Sequence, residues 1–184
     1  MRVIKLYEEF QNDIDTICNR YNIRRYTINE DGSVDVNGDI DLVGSGLKKL
    51  PLKFNYVSGD FNCSYNKLTT LEGCPKEVGD SFYCVSNQLT SLIGSPESIG
   101  DVFDCGSNAL ITLEGCPTKI GGVFYCNENP VYAIWELIND KEYLEMFIDY
   151  DMIEGRDLYL DRLNDIRSMM GKPPVKSVKG YNCI

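Results

Sequence analysis

The chain repeats itself every 21 residues, and that period constrains its fold more than any other feature of the sequence. At this shift, phenylalanines align at Phe61, Phe82, Phe103 and Phe124, cysteines at Cys63, Cys84, Cys105 and Cys126, and asparagines at Asn66, Asn87, Asn108 and Asn129. Leucines follow at Leu68, Leu89 and Leu110 and at Leu71, Leu92 and Leu113, with Val131 and Ile134 continuing those two columns. Gly73, Gly94 and Gly115 each stand two residues before a proline, at Pro75, Pro96 and Pro117, and the turns close on Val78, Ile99 and Ile120. A weaker first copy runs through Gly38-Asp39-Ile40-Asp41-Leu42, Leu47, Leu50 and Val57, which makes five turns. A single turn has nothing to bury its apolar side against. Only stacking creates a core, and both open ends then need covers.

Each column has a physical reading. Phe and Cys two residues apart, with polar residues between, have the period of a half-buried strand. Phe82 and Cys84 are therefore expected to face inward, and Ser81, Tyr83 and Val85 outward. Stacked turns place these strands side by side as a parallel sheet. An asparagine three residues after the inward Cys is placed to bond the backbone of its own bend and of the neighbouring turn, forming a ladder. The Gly-x-Pro stretch then reverses the chain on the back side.

The segment Phe82-Tyr83-Cys84-Val85-Ser86-Asn87-Gln88-Leu89-Thr90-Ser91-Leu92 resembles the leucine-rich-repeat pattern LxLxxNxLxxL, with Phe and Cys in the two strand positions. It departs where Gly79, Gly100 and Gly121 replace the first leucine, which predicts a tighter turn before the strand. The phrase Leu-x-Gly-Cys-Pro-x-x-Val-Gly-Asp at residues 71–80 is similar to short leucine-rich-repeat proteins of tailed bacteriophages and some bacteria. The resemblance covers residues 26–130. It implies an α/β solenoid, a leucine-rich-repeat-like right-handed coil of about five parallel-strand turns, in a phage-encoded protein.

The flanks read as caps. Leu6, Phe10, Ile14, Ile17 and Tyr21 share one face at helical spacing, which predicts an amphipathic helix over residues 5–21. Tyr26-Thr27-Ile28 and Val34-Asp35-Val36 alternate around Glu30-Asp31-Gly32, a hairpin signal, and complete an N-terminal cap over residues 1–37. The repeats occupy 38–130. After Asn129-Pro130 helical spacing begins, with Val131, Ile134, Trp135 and Ile138 on one stripe. Further helices are expected to carry Tyr143, Leu144, Phe147 and Ile148, and then Tyr159, Leu163, Ile166 and Met170, in a C-terminal cap over 131–170. Trp135, the only tryptophan, is expected to plug the end of the last turn. Residues 171–184, with Pro173-Pro174 and three lysines, read as an extended tail of disorder-like composition. All four segments belong to one domain.

Composition narrows the function. The formal net charge is −10 and there is no histidine. That argues against direct binding of a phosphate backbone, which requires clustered Lys and Arg, and favours a protein partner with a basic or mixed surface. Without histidine the usual Ser-His and Cys-His nucleophile pairs are absent, so no enzyme activity and no cofactor is expected. With charged residues so early no secretory h-region is expected, and no apolar run approaches the ~18 residues of a membrane span. A cytoplasmic protein with reduced cysteines is expected. Four stacked thiols about 4.8 Å apart lie in a row rather than at the corners of a tetrahedron, so they read as buried filler and not as a metal site.

The outward strand positions are the candidate site. Between the Phe and Cys columns stand Asp41, Asn62, Tyr83, Asp104 and Tyr125. Asp39, Asp60, Ser81, Val102 and Val123 flank them on one side. Ser64, Val85, Gly106 and Asn127, then Tyr65, Ser86, Ser107 and Glu128, flank them on the other. Tyrosines interleaved with carboxylates suit a partner offering Arg or Lys, so Asp41, Asn62, Tyr65, Tyr83, Asp104, Tyr125 and Glu128 are assigned to partner binding. The expected function is a non-enzymatic protein-protein interaction module. Two further readings stand beside it. The acidic residues of the C-terminal cap, among them Glu136, Glu142, Glu145, Asp149, Asp161 and Asp165, suit an anti-defence inhibitor that mimics nucleic acid. Carboxylates with a metal, or a virion structural role, complete the alternatives.

Overall fold

The computed structural model describes residues 2–117 and 119–184, and side chains from residue 11 onward. Leu6 and Phe10, expected on the apolar face of the first helix, lie outside the described side chains. Among the described residues the protein is α/β, with parallel-strand sheets and four helices.

Helix α1 (Arg2–Arg20) buries Ile14 and Cys18, and the Tyr26 hydroxyl donates to Asp15 Oδ1 at 2.6 Å, tying helix to hairpin. Strands β1 (Tyr26–Ile28) and β2 (Val34–Val36) pair antiparallel around Gly32, whose φ of +77° is the conformation this turn needs. The chain then alternates between two sheets through β3 (Ile40–Asp41), β4 (Phe54–Val57), β5 (Phe61–Asn62), β6 (Glu77–Val78), β7 (Phe82–Tyr83), β8 (Ser98–Ile99), β9 (Phe103–Asp104), β10 (Lys119–Ile120) and β11 (Phe124–Tyr125). One sheet has five strands in the order β11-β9-β7-β5-β3, and the other has six in the order β1-β2-β4-β6-β8-β10.

From β2 onward these pairings are parallel, and the sequence period becomes the register. Ile40, Phe61, Phe82, Phe103 and Phe124 are successive partners in the five-stranded sheet. Val57, Val78, Ile99 and Ile120 are successive partners in the other. While the β1–β2 hairpin was expected, strands β4, β6, β8 and β10 of the six-stranded sheet lie where the sequence suggested only a chain reversal. Its strands beyond β4 are two residues long, too short for alternation to be legible.

Between the sheets runs a column of aromatic rings. Phe54, Phe61, Phe82, Phe103, Phe124, Trp135 and Phe147 follow one another at centroid separations of 5.3, 5.4, 5.7, 5.4, 5.4 and 5.7 Å. Each contact adds about 0.5–1.5 kcal/mol beyond the area buried. Trp135 is buried and carries the column into the C-terminal cap, as expected of a plug.

The asparagines form the expected ladder. Asn108 Oδ1 accepts from the Leu89 N–H at 3.0 Å, while its Nδ2 donates to the carbonyls of Cys84 and Cys105 at 3.0 and 3.1 Å. Asn66, Asn87 and Asn129 repeat the pattern one turn apart. On the opposite sheet the device is steric. A Cβ at Gly100 would lie 1.8 Å from the Gly79 carbonyl oxygen, and one at Gly121 would lie 1.9 Å from that of Gly100. Only glycine lets the stacked backbones approach so closely, which explains the departure from the leucine pattern at these positions.

Pro130 stops the repeat. It occupies the column of Lys67, Gln88 and Ala109, whose N–H groups donate to Leu47, Leu68 and Leu89. Proline has no N–H, so the Leu110 carbonyl is taken instead by Val131, and α2 (Tyr132–Ile138) begins. The cap continues through α3 (Leu144–Asp149), a hairpin of β12 (Ile153–Glu154) and β13 (Asp157–Leu158), and α4 (Leu160–Met169). The segment 171–184 is not a loose tail. It ends in β14 (Asn182–Cys183), which pairs with β13, and Val178 is buried. Asn164 exchanges two hydrogen bonds with Val175, and the Tyr181 hydroxyl donates to the Ile111 carbonyl at 3.0 Å. Pro and Lys content suggested disorder, but these contacts involve partners distant in sequence, which composition does not register.

Candidate interaction face

The five-stranded sheet brings Asp41, Asn62, Tyr83, Asp104 and Tyr125 into a single row, each the register partner of the next. At about 4.8 Å per step the row spans roughly 19 Å. Tyr65 and Glu128 lie three residues beyond the row, at the bend that follows each strand. There φ is positive: +58° at Tyr65, +55° at Ser86, +53° at Ser107 and +57° at Glu128, with Gly44 at +62° in the first turn. Non-glycine residues in this region are strained, and in each of the four turns where one stands there the ladder asparagine follows it and pins the bend. Tyr65, at the bend, is 64% exposed, and Tyr125, in the last strand of the row, is 47% exposed.

Several polar side chains of this face are committed to backbone. Asp41, Asn62 and Asp104 each accept the N–H two residues on, from Val43, Ser64 and Gly106, at 3.0, 3.0 and 2.9 Å. Where Tyr83 replaces such a residue, the corresponding Val85 N–H is taken by Ser64 Oγ of the preceding turn at 3.1 Å. A second ladder runs along the flank: Asp39 accepts from Asp60 N at 3.0 Å, and Asp60 from Ser81 N at 2.8 Å. Ser64 and Ser81, expected to face outward, are buried, because a small hydroxyl in a parallel stack tucks beneath the next turn to bond its backbone. The freely exposed members are Asp41, Tyr65, Tyr125 and Glu128, with Asn62, Tyr83 and Asp104 half-buried between them.

Burial raises the Asp104 carboxyl above its ordinary value against the lowering effect of the Gly106 N–H. Burial also pushes Cys63 and Cys126 up to about 12 and holds Cys84 and Cys105 well above the usual thiol value. These thiols are packing groups rather than nucleophiles. Among the described residues, no group of three or more Cys, Asp or Glu is arranged to hold a metal ion.

The C-terminal cap is acidic, and among the described residues none of its carboxylates forms a salt bridge. Glu136, Glu142, Glu145, Asp149, Asp151, Glu154, Asp161 and Asp165 are all exposed. Three of the nearby cations are engaged elsewhere: Lys141 donates to the Ile120 and Gly122 carbonyls at 2.6 and 2.8 Å, Arg162 to Tyr150 and Asp151 carbonyls, and buried Arg167 to those of Pro173 and Leu137, while Arg156 is exposed. Among the described residues the salt bridge is Lys53 with Asp31, at the other end of the molecule.

Sequence reasoning missed a groove of about 520 Å³ on the six-stranded sheet, walled by Tyr56, Glu77, Ser98 and Lys119 and bordered by the Gly79, Gly100 and Gly121 column. The glycines were the available signal. No described helix is long and apolar enough to cross a membrane. No protein-family model, curated protein or solved structure matches the chain.

Proposed function

We propose that the chain is a leucine-rich-repeat-like right-handed solenoid of five turns that serves as a non-enzymatic protein-protein interaction module. In this reading it is phage-encoded and works in the host cytoplasm, docking a host or viral protein on the five-stranded face. The observation that carries the reading is the in-register row Asp41, Asn62, Tyr83, Asp104 and Tyr125, rimmed by exposed Tyr65 and Glu128. Rigid strands hold these side chains at fixed spacing, so little conformational entropy is lost on binding. Tyrosines supply area and the carboxylates select Arg or Lys on the partner. The test is affinity capture from host lysate with the wild type and a Tyr83→Ala/Asp104→Asn/Tyr125→Ala variant. Asn at 104 retains the acceptor for the Gly106 N–H, so the variant is designed to fold. A partner held by the wild type and lost by the variant supports the face; equal retention sinks it.

A second reading rests on the unpaired carboxylates of the C-terminal cap. Lys141, Arg162 and Arg167 bond backbone carbonyls, so the surface presents a dense negative field of the kind nucleic-acid-binding proteins accept. In that reading the protein is an anti-defence inhibitor. Its binding to a host nuclease would be displaced by duplex DNA and weakened steeply by salt, whereas face binding would not compete with DNA.

A further inference from the structure

The five-stranded sheet ends differently from the six-stranded one. In each turn from the second to the fourth, three backbone N–H groups donate to the next turn. Those of Phe61, Phe82 and Phe103 reach Ser81, Val102 and Val123, those of Cys63, Cys84 and Cys105 reach Tyr83, Asp104 and Tyr125, and those of Tyr65, Ser86 and Ser107 reach Val85, Gly106 and Asn127. The pattern predicts the next three donors, Phe124, Cys126 and Glu128, and no described backbone carbonyl accepts from them. Lys141 covers the carbonyls at the corresponding edge of the other sheet but does not reach this one. Around the open donors Val123, Tyr125, Asn127 and Glu128 are exposed, while Val102, Asp104 and Ser107 one turn earlier are half-buried and Gly106 is buried.

We propose that the β11 edge is a strand-addition site for a short, basic, extended peptide segment of a partner, pairing parallel to residues 124–128. Three donors at every second residue call for carbonyl acceptors at the same interval, which an extended peptide supplies. The inward positions of such a strand meet Trp135, which packs edge-on against Phe124 at 5.4 Å where the next ring of the column would stand, so they must be small. The outward positions lie beside Tyr125, Asp104 and Glu128, which favour Lys or Arg through their charge and the tyrosine ring. A second copy of the chain is the competing occupant, since the opposite edge presents the carbonyls of Asp39, Asp41 and Val43. Charge opposes it. Each copy carries −10, and in the continued register Asp41 of one copy would stand beside Tyr125 of the other, one strand from Asp104. This site shares Tyr125, Asp104 and Glu128 with the face assigned above, but it is defined by the backbone donors of the last strand, so slowed exchange at those amides and loss of a captured partner can fail separately.

The test is amide hydrogen exchange read by NMR on the full chain, with and without a synthetic hexapeptide of alternating lysine and glycine. A lysine–proline hexapeptide of equal charge is the control. In the free protein Phe124, Cys126 and Glu128 should exchange freely while Phe103, Cys105 and Ser107 are protected. At saturation the lysine–glycine peptide should slow the three edge amides at least tenfold and leave Tyr125 unchanged, and Glu128→Gln should weaken the peptide severalfold. No slowing, or equal slowing by the proline peptide, overturns the proposal. So does protection that appears without peptide and grows with protein concentration, which would assign the edge to a second copy.

Discussion

The two parallel sheets share one 21-residue offset and are held to it by opposite means. The five-stranded sheet uses side chains: asparagines that bond two turns at once and phenylalanines that stack. The six-stranded sheet uses their absence, with a glycine column that lets one backbone sit against the next. The difference concerns tolerance. A hydrogen-bonded ladder survives small adjustments of spacing, whereas a backbone contact that leaves no room for a methyl group does not.

The harshest way to break this comparison is Gly100→Ala, whose Cβ would fall 1.8 Å from a backbone oxygen that has no rotamer to escape through. We expect a loss of about 3 kcal/mol or more, at the upper end of overpacking costs, read as the drop in urea midpoint. Were the variant as stable as the wild type, the steric account of the glycine column would be wrong. Asn108→Ala should cost less, about 2 kcal/mol. It leaves the buried Leu89 N–H and the Cys84 and Cys105 carbonyls short of partners but forces nothing apart. Lys141→Met sharpens the contrast at the sheet ends. It should cost about 1 kcal/mol and speed exchange chiefly in the last turn, because the ammonium acts only on the carbonyls of Ile120 and Gly122. Uniform destabilisation across all turns would show that Lys141 does more than seal an edge.

The smallest effect concerns pH. Burial raises the folded-state value of Asp104 above its unfolded one, so between the two values the folded protein holds the extra proton. Its contribution to stability therefore falls as pH rises from the ordinary carboxylate value through the raised one. Asp104→Asn keeps the Oδ1 acceptor and should remove that falling contribution, so that the melting temperature of the variant rises more steeply with pH across this window than that of the wild type.

The repeats were legible because each turn restates the same demands. The Phe and Cys columns, the asparagine ladder and the N-terminal hairpin all follow from local spacing. Beyond that hairpin the second sheet was not legible, since a pair such as Ser98 and Ile99 carries too little pattern to declare a strand. The C-terminal segment misled for a different reason. Its order depends on Tyr181 reaching Ile111, 70 residues away, and on Cys183 pairing beside Leu158. At the candidate face, outward alternation located the row. It did not foresee that Asp41, Asn62 and Asp104 serve their own backbone or that Ser64 and Ser81 are covered by the next turn.

The cysteine column places one buried thiol in each of four successive turns, at Cys63, Cys84, Cys105 and Cys126. Each is shielded from alkylating reagents for as long as its own turn stays closed, so labelling under mild denaturant becomes a clock with one hand per turn. If the stack frays from an end, modification should spread from that end in sequence. If it opens as one unit, all four thiols should acquire label at the same rate, and only Cys183, less deeply placed, should run ahead of them.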